Sequence, residues 1–226
     1  RSQAPLPPFD TPPAELNEAR GFLEMLDPGA KSFTFVTFDD VELDDGKKRS
    51  DGRLVGMWHG ALDDVSAELA RLNRLGAGVF VTVNETDGRG RKAENVTRVR
   101  AVWADDDGGG AGGEFPEAGP PSIVVETSPG KRHTYWCVDG LTAEEHAGVM
   151  RRMVQDYGAD PAAADLARVL RLPGFSHMKR ASRDKGHVVR VTGGNAEIAR
   201  MLGETVQPFS RDTLLRVFPP IARLAE

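Results

Sequence analysis

Residues 99–110 read VRAVWADDDGGG. An apolar, β-branched run stops at three adjacent aspartates, Asp105, Asp106 and Asp107, and a glycine tract follows. Carboxylates at close range repel, and a carboxylate beside a core costs free energy unless something cationic neutralises it. Along a strand, residues two apart share a face. The pattern predicts a strand over 97–104 whose end aims Asp105 and Asp107 at one point, with Asp106 facing away. Two converging carboxylates make an oxygen-rich site for Mg2+ or Mn2+. The same run also reads as an acidic loop with all three aspartates in water.

Outward from this stretch, helices alternate with short strands. Before it come a helix over AELNEARGFLEML, which Thr11-Pro12 would start, the strand SFTFVTF at 32–38, and LVGMWHG as its possible partner. The amphipathic helix LDDVSAELARLNRLG follows, then the strand GVFVTVN at 78–84. After it, PSIVVET (121–127) and RHTYWCV (132–138) read as an antiparallel hairpin around Pro129-Gly130. A helix with a Thr142–Glu145 capping box runs to Gly158. DPAAADLARVLRLPG reads as a short helix, GHVVRVT (186–192) as the last clear strand, and two short helices close the chain. The order predicts an α+β fold with a mainly antiparallel sheet. Residues 1–13, APLPPFDTPP among them, predict an extended arm, and 14–226 a single domain.

The chain has 226 residues and a formal charge of −5, which argues against indiscriminate coating of nucleic acid. Basic residues nevertheless concentrate in RGRK at 89–92 and between Arg168 and Arg190, either a solvated face or a phosphate-facing surface. Cys137 is the single cysteine, so no intrachain disulfide forms and a cytoplasmic setting is expected. No apolar run approaches the roughly 20 residues of a membrane span, so no membrane partner is expected. Residue 1 is Arg, which predicts a domain excised from a longer chain.

Two further stretches carry chemistry. In ETSPGKRHTYW (126–136), a tight turn frees backbone amides between Ser128 and Lys131, and His133 follows on the strand. Hydroxyl, amides, ammonium and imidazole together suit a triphosphate. The bland alternative is a hairpin with a solvated lysine and a packed histidine. Tyr135 or Trp136 offers a ring to a base, although Trp136 suits the core better. In DPAAADLARVLRLPGFSHMK (160–179), Asp165, Arg168 and Arg171 stand three apart and would share one helical face. They read as surface pairing, or as one more carboxylate beside phosphate-holding guanidinium groups.

In this order the three stretches resemble the archaeo-eukaryotic primase superfamily, and more narrowly the RepB-like primases of plasmids and phages. The resemblance covers about residues 78–192. It implies a prim-pol fold, with an RRM-like sheet packed on a second α/β unit. It also implies template-directed primer synthesis on single-stranded DNA by a nucleotidyltransferase that uses NTPs or dNTPs and two divalent ions. Asp105 and Asp107 match the family's DxD metal ligands, and Asp165 is the expected third carboxylate, with Asp160 the alternative. Ser128, Lys131 and His133 match the motif facing the incoming nucleotide, and Arg168 and Arg171 match its RxxRLPG run. Arg89, Arg91, Lys92, Lys179 and Arg180 are the expected template contacts, and a fused or separate helicase the expected partner. His177 stands where the pattern has Asn after the LPG turn. Two other classes compete: a haloacid-dehalogenase-type phosphatase, whose DxD opens the first strand, and a non-catalytic RRM-like module for single strands.

Overall fold

A computed structural model describes residues 6–43, 46, 47, 49, 52–106, 115–205 and 207–222. Asp107 lies outside them. The alternating run near the start forms β1 (Phe33–Asp39) after the helix α1 (Leu16–Leu26). Residues 6–15 form neither helix nor strand, and α1 starts four residues after Pro12. Backbone bonds from Phe9 N–H to the Arg74 carbonyl and from Glu15 N–H to the Gly174 carbonyl hold this stretch extended on its neighbours, so the helix begins only beyond them.

Next come β2 (Gly56–Gly60), α2 (Leu62–Arg74), β3 (Ala77–Thr82), β4 (Glu85–Thr86), β5 (Val96–Arg98) and β6 (Ala101–Asp106). The expected single strand over 97–104 is broken at Val99-Arg100. There the Arg100 N–H turns to the buried Asn84 Oδ1 at 2.9 Å, and its guanidinium pairs with Asp27 at 2.7 Å. After these come β7 (Ile123–Ser128), β8 (Lys131–Asp139), α3 (Ala143–Tyr157), β9 (Val169–Arg171), α4 (Arg180–Arg183), β10 (Arg190–Gly193), α5 (Asn195–Met201), β11 (Phe209–Ser210) and α6 (Arg211–Val217). The capping box on α3 forms as expected, Glu145 N–H donating to Thr142 Oγ1 at 3.2 Å and Thr142 N–H to Glu145 Oε2 at 3.0 Å.

The strands make two main sheets. One has the order β2-β1-β3-β9, all antiparallel. The other runs β10-β7-β8, with β6 antiparallel to β8 and the short β11 parallel to its end. A small β4–β5 hairpin lies apart from both sheets.

The segment 160–173 is where structure and sequence reading part. A single 3-10 turn at Pro161–Ala163 is its only helical element, and Val169–Arg171 pair with Phe80–Thr82 as β9. A spacing of three fits a helix, but the otherwise open edge of β3 gives this backbone ladder partners that a short isolated helix lacks.

Both sheets feed one apolar core. Phe35, Val81, Trp103, Ile123, Tyr135 and Trp136 are wholly buried in it, with α1 and α3 packed on top. The indole N–H groups find backbone carbonyls, Trp103 that of Ala163 and Trp136 that of Gly119, each at 2.8 Å. Cys137 is buried in the same core, and burial pushes its thiol up to about 12. Among the described residues no helix is long and apolar enough to cross a membrane.

Candidate active site

The β6–β8 ladder sets the geometry. Residues 101–104 are buried, and the strand leaves the core at Asp105, which stands directly opposite His133. Asp105 Oδ1 lies 3.5 Å from His133 Nε2. Asp106 faces the other side, 3.9 Å from Arg132, as the period of two demands. Tyr135 is wholly buried, 3.4 Å from His133 Nδ1 through its hydroxyl. Burial, and then the charge of Asp105, push that phenol well above its ordinary value. The Tyr135 hydroxyl and the Asp105 carboxylate thus face the two nitrogens of the His133 ring.

The hairpin beside this pair turns through Pro129-Gly130. Gly130 sits at φ +79°, and Ser128 pairs across the turn with Lys131. Proline at the second and a left-handed glycine at the third position make a type II turn. Ser128 is buried at its base.

The opposite wall comes from the other sheet. A cleft of about 810 Å³ separates the two, and Asp105, Ser128, Lys131, His133, Arg168 and Arg171 all line it. The structure thus brings together every nucleotide-facing residue expected from the sequence with Asp105, one of the three expected aspartates. Arg171 is fixed by a buried ion pair with Asp40 at 2.7 Å and lies 4.7 Å over the Phe80 ring. Arg168 pairs with Asp165 at 2.9 Å, yet its buried Nε has no hydrogen-bond partner. His177 lines the cleft with Nδ1 likewise buried and unpartnered. Burial and then the positive neighbours Arg171, Lys179, His187 and Lys131 push it down to about 2. Orphaned polar atoms beside Lys131, Arg168 and Lys179 suit an anionic ligand on this side of the cleft, whereas Asp39, Asp40 and Glu42 line another part of it.

The remaining expected residues divide. Lys179 lines the cleft, and Arg180 opens α4 in an exposed position. Arg89, Arg91 and Lys92 lie on the exposed loop between β4 and β5, where Arg91 stands 5.2 Å over the Phe38 ring at the cleft. Asp165 is exposed and lies outside the cleft lining. Asp160 is also outside the lining, but its N–H donates to the Asp105 carbonyl at 3.0 Å, while its carboxylate caps Ala162 N–H at 2.8 Å. Among the described residues no three His, Cys, Asp or Glu side chains stand close enough together to hold a metal.

Sequence reasoning missed Asp40, Phe38 and Phe80. The signal for Asp40 was present: FTFVTFDD at 33–40 is a second apolar strand ending in adjacent acids.

The two-sheet α+β fold, with an acid–imidazole pair at the cleft between the sheets, is similar to that of primase domains of the archaeo-eukaryotic type. The AEP domain of the cyanophage S-2L primase-polymerase superposes with a TM-score of 0.66, covering 92% of this chain and 100% of that one at 18% identity. The catalytic domain of primase RepB′, solved in complex with initiator DNA, gives 0.57 over 80% of this chain and 85% of that one at 24% identity. At such identities the likeness is one of fold. A model of the RepB DNA-primase N-terminal domain matches residues 79–206, and the chain belongs to that family. It is also 38% identical to Mobilization protein A of Escherichia coli over 65 residues, which are 28% of this chain and 9% of that relative.

Proposed function

We propose that this chain synthesises primers on single-stranded DNA from nucleoside triphosphates, in the replication of a plasmid, phage or integrated mobile element. The observation that carries the reading is the Asp105–His133 pair, 3.5 Å apart, in a cleft that Lys131, Arg168, Arg171 and Lys179 also line. Residues 14–226 are read as one catalytic domain, cytoplasmic and served by a helicase.

Each residue has a part to play. Ser128, Lys131 and His133 bind the triphosphate from the hairpin side, and Arg168 and Arg171 from the β9 side. The two groups arise from different sheets, so the tail is gripped from both and held in line for attack. His133 turns Nε2 toward Asp105, and an imidazole N–H donated from there to the phosphates would stabilise developing charge. Asp105 and Asp107 would hold Mg2+ or Mn2+. Asp160, whose backbone is bonded to that of Asp105, is favoured as the third carboxylate over Asp165, which Arg168 engages. Divalent ions held by these carboxylates would supply Lewis acidity toward the attacking 3′-hydroxyl and charge neutralisation at the leaving pyrophosphate.

The test is incubation with single-stranded template, Mn2+ or Mg2+, and labelled NTPs or dNTPs. The wild type is expected to make template-dependent oligomers, and Asp105→Asn to lower the rate by more than ~10²-fold. Template binding with no product under any of these conditions would overturn the proposal and leave a non-catalytic single-strand module.

A further inference from the structure

Single strands are held by two kinds of contact, cations along the phosphates and flat rings under the bases. The cleft supplies the first. For the second, Tyr135 and Trp136 are excluded, because both are wholly buried. The outer face of the β1–β3 pair offers rings instead.

Phe38 and Phe80 are half-buried, line the cleft that holds Asp105, and meet edge to face with centroids 5.3 Å apart. The guanidinium of Arg91 stands 5.2 Å over Phe38. Apolar surface continues from there: Val55 is 56% exposed beside Phe38 in the cleft, and Met57 on β2 is 43% exposed. Met57 belongs to a second groove of about 560 Å³, lined also by Arg89, Arg91 and Lys92. Arg91 therefore lines the second groove while its guanidinium lies over Phe38, which lines the cleft that holds Asp105. Half-buried rings and exposed aliphatic side chains beside basic residues suit a ligand with flat apolar faces and a charged backbone.

We propose that Phe38, backed by Phe80 and flanked by Arg91, is a stacking shelf for the bases of a single-stranded DNA template, which enters past Arg89 and Lys92 and crosses the shelf toward Asp105. The identity of the strand as template rests on the primase reading; the stacking does not. A guanidinium plane stacks on a base as a ring does, so Arg91 and Phe38 present one sequence-tolerant surface.

Fluorescence anisotropy with oligodeoxythymidine, and with an abasic strand of equal length, tests the shelf. Phe38→Ala is expected to weaken binding of the intact strand about tenfold and to leave the abasic strand unchanged. Phe38→Trp should restore affinity. Phe38→Leu, which keeps the apolar volume and should melt like the wild type, should still lose the base-dependent part. The slope of log affinity against log salt should stay constant in Phe38→Ala and fall by about 0.7 in Arg91→Ala.

Equal loss on intact and abasic strands overturns the shelf. So does weaker nucleotide binding with unchanged strand binding, which would place the incoming base there. The two readings fail separately. Base-dependent loss in a protein that makes no primers sinks the primase reading and keeps the shelf, whereas primer synthesis with wild-type strand affinity in Phe38→Ala does the reverse.

Discussion

Asp40 acts through Arg171. Their ion pair is almost wholly out of water, with side-chain exposures of 8% and 9%, and removing one member strands the other's charge. Asp40→Asn is expected to cost about 3 kcal/mol in urea unfolding and to raise the KM for nucleotide more than it lowers kcat. An unchanged KM would mean that Asp40 is structural only. Gly78 belongs to the same cluster, because a Cβ there would run into the Asp40 carboxylate, the Phe80 ring and Arg171. Legibility differs sharply among these residues. Asp105 could be read from a period of two within six residues, and His133 from its place two residues beyond a turn-flanking lysine. Asp40 and Arg171 lie 131 positions apart in the chain and meet only because β1, β3 and β9 are neighbours in one sheet. No local pattern encodes such a meeting.

The hairpin that carries Ser128, Lys131 and His133 depends on its turn. With φ at +79° and open space around its Cα, Gly130 is required for backbone shape and not for room. Gly130→Ala should cost about 1 kcal/mol by thermal denaturation and weaken nucleotide binding, since Ser128 and Lys131 pair across the turn. Gly130→Asn should lose less of both, because asparagine visits the left-handed region more readily. This turn was readable from Pro-Gly alone. The segment 160–173 was not: its Asp and Arg spacing fits a helix and a short strand alike, and only the unpaired edge of β3 decides between them. The break at Arg100 was hidden for a similar reason, since Asn84 and Asp27, which draw that residue out of the ladder, come from other elements.

For the whole molecule, acid is the natural stress. His146 lies in the core against Trp103, ring centroids 5.0 Å apart, with both nitrogens unpartnered, and burial pushes it down to about 4. His177 is pushed further, to about 2. In both cases the unfolded chain binds a proton more readily than the folded one. Stability is therefore fully present above about pH 6.5 and is lost as pH falls toward 4 and below. For His146 the loss is on the order of 3 kcal/mol at the acid end. The melting temperature should fall across that window, and His146→Leu should flatten the fall; an equally steep decline in the variant would exclude this histidine as a cause. The family match begins at β3, so the part of the wall formed by Phe38, Asp40 and Val55 lies outside the stretch that carries the motifs, which is why the sequence reading did not find it. The burial of Cys137 has a practical result. The chain's single thiol is 2% exposed and holds its proton far above neutral pH, so maleimides will pass it by. Lys92→Cys and Lys179→Cys would each give one addressable handle without any cysteine-free background, and a pair of dyes there would report on the span of the channel as a strand threads through it.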